Sequence, residues 1–304
     1  MSILHCQNIS YSYGNTAVLR DLSFSIEKPG VYGFLGVNGA GKSTTLRIIN
    51  GFLRPQAGEI NIFGLSPSKQ TRAMVGYMPQ NPPAYHWMTG MEMLQFCAKL
   101  RGVRPEEEQR WLSLVDSLQL TPIIHQRIKG YSGGEKQKLS FIAAVLGNTK
   151  LLLLDEPVAA MDPIGRAQVL NIIQELGQEK AIFFSTHILA DVERICDGVT
   201  VLHNGTVLRS QPVSAMMFQN LSQIGLLRCH PIPPAFLQTL QETLHVKLER
   251  DEQEEDSIRI LCEDRSAVEE ALPGLMVRHN VSLRHFEWKE YSMEEIFIRL
   301  VEKQ

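Results

Sequence analysis

The sequence predicts an α/β fold: a mixed, largely parallel sheet as its core, a helical insert within that core, and a small C-terminal α+β appendage of ferredoxin-like order. Three observations carry this. Residues 31–35 (VYGFL) are an apolar run that enters a glycine loop and then a helix-forming stretch, and a second unit at Lys150–Leu154, with four consecutive leucines, is followed by an amphipathic segment and a third run at 181–184. Between these units, residues 89 to 147 carry helical patterning. Beyond residue 224, strand and helix signals alternate.

Each element has its own local reason. A strand that is apolar along its length is one covered on both faces, as in a parallel sheet, and residues 31–35 and the four leucines after Lys150 have that character. In the insert, Thr89 and Glu92 make a capping box, and Met93, Cys97 and Leu100 mark one helix face. A second helix is expected from Pro105, with Glu106, Glu107 and Glu108 in the turn where the helix dipole favours acids and Trp111, Leu114, Val115 and Leu118 as its apolar stripe. Ser132 reads as the N-cap of a helix running through Leu139, Ile142 and Leu146. Asp162 as N-cap and Pro163 at the first helical position open a helix whose apolar face is Val169, Ile172, Ile173 and Leu176. With the strand at 181–184 this completes a βαβ crossover, hence parallel pairing.

Asn204-Gly205 within VLHNGTVL marks a hairpin turn. The remainder reads β, α, β, β, α, β, α, with strands near 224–230, 246–250, 257–262 and 281–288 and a last helix capped by Ser292 and Glu295. The acidic run ERDEQEED at 249–256 is read as a solvated hairpin loop. The expected division is therefore a first domain at 1–215, holding the insert at about 85–147, and an accessory domain at 216–304.

Composition limits the partners. The 304 residues carry 30 basic and 33 acidic side chains, too even a balance to attract a nucleic-acid backbone by bulk charge. The balance is uneven along the chain: residues 216–304 hold 16 acids and 10 bases, leaving 17 acids and 20 bases before them. Five cysteines without a C-x-x-C pair or zinc-finger spacing are read as free thiols of a reducing compartment. The first residues, MSILHCQNIS, lack the basic and long apolar stretches of a secretory signal, and no run approaches the roughly 18 apolar residues that cross a bilayer. The expectation is a cytoplasmic chain that reaches a membrane only through a partner supplying the spanning helices.

The chemistry lies in short motifs. Gly36-Val37-Asn38-Gly39-Ala40-Gly41-Lys42-Ser43 satisfies G-x-x-x-x-G-K-[ST], whose glycines let backbone N–H groups face phosphate oxygens at a helix N-terminus. Lys42 is expected to reach the β and γ phosphates and Ser43 to place its hydroxyl on Mg²⁺. Such a string arises by accident in about one chain of this length in a hundred. Asp155 and Glu156 end the apolar run at 151–154, at the sheet edge where open α/β folds bind ligands. Asp155 is expected to hold the metal, directly or through water, and Glu156 to polarise a water for attack on the γ-phosphate. Tyr131-Ser132-Gly133-Gly134-Glu135 spends two glycines just after a cap, which suits a close approach of phosphate to the amides.

In this order the motifs resemble those of the ATP-binding cassette (ABC) ATPases over residues 1 to about 215. GVNGAGKS is similar to Walker A, YSGGE to the family signature and LLLLDEP to Walker B. The resemblance implies that Gly36 to Thr44 bind ATP. It also implies that Gln80 in YMPQ contacts Mg²⁺ and water, and that His187 in FFSTH hydrogen-bonds the γ-phosphate. Tyr13 stands where the family stacks an aromatic on adenine, and Met161-Asp162 where its D-loop lies. Tyr131 and Glu135 depart from the commonest Leu and Gln, and AAMD from SALD; neither change removes a phosphate-handling group.

The family pattern further implies a head-to-tail homodimer in which Ser132, Gly133 and Gly134 of one copy cover the nucleotide on the other's Walker loop. An integral membrane permease would dock beside Gln80, where Tyr85, Trp87 and Met88 stand. The single cassette and the terminal SMEEIFIRL resemble ATP-binding subunits of ABC-2-type exporters, peripheral on the cytoplasmic face of the membrane. A soluble non-transport ABC ATPase and an importer cassette are the alternatives.

Overall fold

The computed structural model describes residues 2–83, 85–104, 108–219, 223–250, 257–262, 264–289 and 292–302. The chain divides into two compact units, Met1–Val213 and Ser214–Gln304.

The first unit opens with β1 (Leu4–Tyr13) and β2 (Thr16–Ile26), which pair antiparallel, and β4 (Ala57–Ile62) adds to the other side of β1. Between them lie β3 (Gly30–Leu35) and α1 (Lys42–Ile49). Next come α2 (Lys69–Met74), β5 (Val75–Met78), α3 (Gly90–Leu100), α4 (Glu108–Ser117), a single 3-10 turn at Ile128–Gly130 and α5 (Gly133–Val145). The unit ends with β6 (Leu151–Asp155), α6 (Pro163–Gly177), β7 (Ala181–Thr186), α7 (Leu189–Ile195), β8 (Gly198–His203) and β9 (Thr206–Pro212), which leads into α8 (Val213–Gln219). The main sheet has the order β5-β6-β7-β3-β8-β9, parallel except for β9.

The leucine run of β6 shows why such strands are continuously apolar. Leu152 and Leu154 join a core with Phe141, Ile142, Val169 and Ile173 on the insert side. Leu151 and Leu153 face the other way, into a core with Leu4, Phe24, Phe34 and Leu46 beneath the antiparallel sheet. All four leucines are 0% exposed, and each contributes on the order of 2 kcal/mol of burial. One polar residue in the run would unbalance one core or the other.

The capping boxes expected at Thr89 with Glu92 and Ser132 with Glu135 both form, and Asp162 caps α6 through Gly165 N–H with Pro163 in the first turn. The face of α3 differs from expectation. Met93, Leu94 and Ala98 are buried, whereas Leu100 is 71% exposed. Small Ala98 admits close packing, and the larger leucine is turned outward. Trp111, Val115 and Leu118 are buried as expected, with Leu114 packed at the margin; Pro105, Glu106 and Glu107 lie outside the described residues.

The second unit contains β10 (Gln223–His230), α9 (Pro234–Leu244), β11 (Lys247–Arg250), β12 (Ser257–Cys262), α10 (Arg265–Arg278), β13 (Ser282–Lys289) and α11 (Met293–Glu302). Its antiparallel sheet has the order β11-β12-β10-β13, the ferredoxin-like arrangement. Phe236, Leu240, Val268 and Leu272 from its helices pack with Leu227, Ile258 and Ile260 of the sheet. Ser292 and Glu295 exchange the expected capping bonds, and residues 251–256 of the acidic run lie outside the described residues. Among the described residues no helix is long and apolar enough to cross a membrane.

Candidate functional site

Parallel register brings the motif-bearing strand ends to one edge. Leu35 pairs with Thr186, Asp155 with Ser185, and Met78 with Leu154. The segments leaving β3, β5, β6 and β7 are therefore the glycine loop, the Gln80 segment, the Asp155-Glu156 turn and the His187 turn.

The loop from Gly36 to Gly41 leads into α1. Gly41 stands at the helix N-cap with φ 110°, a conformation that strains any residue with a side chain, and a Cβ there would lie 2.6 Å from Leu19 Cδ2, so that leucine would have to shift. Val37, Asn38 and Gly39 are exposed, whereas Gly36, Ala40, Lys42 and Thr44 are buried and Ser43 is intermediate. The hairpin turn at Asn204-Gly205, with φ 46° and 79°, wedges against this loop. Gly205 N–H donates to Ala40 C=O at 3.1 Å, and Gly205 C=O accepts from Arg20 N–H at 2.9 Å.

Four ionisable side chains meet here. Lys42, 7% exposed, donates to the carbonyls of Gly36 at 2.6 Å and Val37 at 3.2 Å. Its ammonium is 3.7 Å from Glu156 Oε1. Burial lowers the Lys42 pKa from its ordinary value, while the charges of Glu156 and Asp155 oppose that shift. Glu156 is buried, and both its carboxylate oxygens lie 3.0 Å from His187 Nδ1. His187 itself is half exposed. Asp155, 1% exposed, accepts a 2.7 Å hydrogen bond on Oδ1 from Ser185, and its Oδ2 is buried without a partner among the described residues. An unpartnered buried carboxylate oxygen beside a phosphate loop suits a divalent cation, with Asp155 and Ser43 as hard oxygen donors.

Other expected residues stand apart from this cluster. Gln80 is exposed, two residues beyond β5, and makes no hydrogen bond among the described residues. Tyr13 is 45% exposed at the β1–β2 turn, packs edge-on against Tyr11, and shares Arg47 of α1 with Tyr77. Ser132, Gly133 and Gly134 form the N-terminus of α5, and no hydrogen bond or ion pair among the described residues joins them to Lys42, Asp155, Glu156 or His187. Gly134 instead approaches the D-loop segment, with a Cβ position 3.2 Å from Ala160 C=O.

The departures in the signature have structural uses. Glu135 completes the capping box of α5, its carboxylate accepting from Ser132 N–H at 2.6 Å. Tyr131 is buried and donates its hydroxyl to Ile123 C=O at 2.7 Å. Two residues to which motif reading gives no role also serve the site. Ser185 Oγ touches both Asp155 and Glu156, and Gln137, buried in α5, donates to Glu156 C=O at 3.3 Å and accepts from Ala160 N–H at 3.0 Å. Only a contact map could have found them.

Comparison with known proteins bears on the fold and the relatives of this chain. Residues 19–159 match the family model described as ABC transporter. The uncharacterized ABC transporter ATP-binding protein YxlF of Bacillus subtilis (strain 168) is 31% identical over 98% of this chain and 99% of its own length. The linearmycin resistance ATP-binding protein LnrL of the same organism is 27% identical over 98% of each chain. A solved structure described as the ATP binding subunit of an ABC transporter superposes with a TM-score of 0.67 at 32% identity, covering 72% of this chain and 93% of that one.

Proposed function

The chain belongs to the ABC transporter ATP-binding proteins and is an ATPase of that family, and from that premise we propose that it powers an ABC-2-type exporter through ATP-dependent pairing of two copies. The observation that carries this reading is the meeting of Lys42, Asp155, Glu156 and His187 at the ends of parallel strands, with Glu156 3.0 Å from His187 and 3.7 Å from Lys42.

Each residue's task follows from its surroundings. Lys42 exchanges the loop carbonyls for the β and γ phosphates, and the exposed amides of Val37, Asn38 and Gly39 take further phosphate oxygens. Ser43, Asp155 and Gln80 would hold Mg²⁺, which when bound would neutralise phosphate charge. Glu156, fixed by His187, accepts the proton of the attacking water, and His187 meets the γ-phosphate. Tyr13, steadied by Arg47, supports the adenine. Ser132, Gly133 and Gly134, exposed or nearly so at the N-terminus of α5, close over the nucleotide of a second copy.

The membrane subunit is assigned to the aromatic cluster of the insert. Trp87 is 69% exposed, packs edge-on against Tyr85 at 5.4 Å, and Tyr85 in turn meets Phe96. With Leu100 nearby in sequence on α3 and also exposed, this is apolar surface of the kind enriched at interfaces. It would hold the protein on the cytoplasmic face, without contact to nucleic acid. The export direction is supported by the likeness to a linearmycin resistance protein, which runs through the C-terminal unit as well as the cassette. We take the two compact units as two domains, with the nucleotide chemistry confined to the first.

Glu156→Gln tests the chemistry: it should bind ATP as the parent does and lose hydrolysis, by about 10²-fold or more. Hydrolysis at the parental rate would remove Glu156 from its role. A photocrosslinker at position 87 should capture a co-expressed polytopic membrane protein; labelling only within the chain would defeat the docking assignment.

A further inference from the structure

Glu156 has φ 50°, in the left-handed region that side-chain-bearing residues rarely adopt. Its backbone is held on both sides: its N–H donates to Ser185 Oγ at 2.9 Å and its C=O accepts from Gln137 Nε2 at 3.3 Å. The Ser185 hydroxyl also donates to Asp155 Oδ1 at 2.7 Å. A hydroxyl has one proton and two lone pairs. With the proton spent on Asp155 and a lone pair on the Glu156 N–H, both directions are determined. Ser185 is 0% exposed, so water does not compete for either bond.

We infer that Ser185 is a positioning residue that sets both carboxylates at once, through Asp155 Oδ1 and the Glu156 N–H. It occupies Oδ1 of Asp155 and so leaves Oδ2, buried and unpartnered among the described residues, as the oxygen available to a divalent cation. It also holds the left-handed turn from which the Glu156 carboxylate reaches His187 and Lys42. Without it, the Asp155 carboxylate is free to rotate, the Glu156 N–H loses its acceptor, and the turn relaxes toward ordinary backbone. The inference rests on the roles proposed above for Asp155 and Glu156.

The test uses the full-length protein carrying Ser185→Ala or Ser185→Cys, with ADP as the probe. Calorimetry measures ADP affinity in EDTA and across a Mg²⁺ series, and ATP hydrolysis is followed at saturating Mg²⁺. For Ser185→Ala, ADP affinity in EDTA should stay within about twofold of the parent, the Mg²⁺ needed for half of the affinity gain should rise about tenfold, and kcat should fall roughly 10–100-fold. Ser185→Cys fills nearly the same volume with a weaker donor, should fall between parent and alanine, and decides the matter if the alanine variant does not fold. A folded variant with parental Mg²⁺ requirement and kcat overturns the inference. So does a loss of ADP affinity that is equal with and without Mg²⁺. Glu156→Gln, run alongside, separates the two readings: if it hydrolyses ATP normally the role of Glu156 fails, and if it is inactive while Ser185→Ala is parental only the role of Ser185 fails.

Discussion

Arg166 on α6 and Asp191 on α7 form a partly buried ion pair, and Arg166→Ala should cost more than the loss of an exposed pair. Asp191 is 3% exposed, its Oδ1 accepts from Arg166 Nη2 at 2.6 Å and Nε at 3.1 Å, and its Oδ2 has no partner among the described residues. Removing the guanidinium strands a buried carboxylate, which costs about 3–5 kcal/mol when no water reaches it. Arg166 is itself 29% exposed, so water enters part of the vacated space, and about 2–3 kcal/mol is the appropriate expectation.

For a unit of this size that is a fall in Tm of roughly 5–10 °C. The assay is thermal unfolding followed by tryptophan emission in a Trp288→Phe background, which leaves Trp87 and the buried Trp111 as reporters of the first unit. Asp191→Asn added to Arg166→Ala should recover about half of the loss, because a neutral amide is cheaper to bury than a charge. A loss below about 0.5 kcal/mol, or no recovery with asparagine, would show that the pair behaves as an ordinary surface ion pair and refute the reasoning.

Other outcomes follow from the same contacts. Lys42→Ala removes the ammonium that the phosphates would engage, so ATP affinity should fall about 30–100-fold in a fluorescent-nucleotide titration, and unchanged affinity would contradict its placement. Tyr131→Phe keeps the buried ring and removes one of the two donors to Ile123 C=O, leaving the Gln126 N–H at 2.7 Å, so it should cost about 0.5–1 kcal/mol in unfolding experiments; no measurable loss would mean that the hydroxyl bond contributes nothing. Hydrogen bonds from Arg265 and Trp288 hold the Glu269 carboxyl below its ordinary 4.5. A depressed carboxyl pKa keeps the ionised, bonded form on acidification through 4.5 and loses it only below, so the pH midpoint of Trp288 emission should lie under 4.5 and move up in Arg265→Ala. A midpoint insensitive to Arg265 would count against the contact.

Legibility in the sequence followed the range of the interactions. The glycine loop, the β6 run and the Asp162 cap were readable because a few consecutive residues contain the whole physical reason, and the structure has them as β3, α1, β6 and α6. The strands of the first 26 residues are not legible in the sequence. Their alternation breaks at bulges, with register shifts between Cys6 and Ile9 and φ 55° at Asn8, so the buried positions change parity along β1. On α3, helical spacing points from Met93 and Cys97 to Leu100, but Leu100 is the last residue of the helix and is exposed, whereas Ala98 is buried. Ser185 and Gln137 were illegible for another reason: they act on Glu156 from 29 and 19 residues away, and neither is distinctive as a residue type. The hairpin at Asn204-Gly205 was legible as a turn, but its hold on Ala40 was not.

The most direct measurement is sedimentation of the Glu156→Gln protein, whose single chain has a mass of 34.3 kDa. With ATP and Mg²⁺ it should accumulate at twice that mass, and with ADP, or after adding Ser132→Arg, it should return to the single chain. Wild-type protein that turned over ATP at full rate while sedimenting as one chain at every concentration would contradict the account, because each site would then be complete without its neighbour.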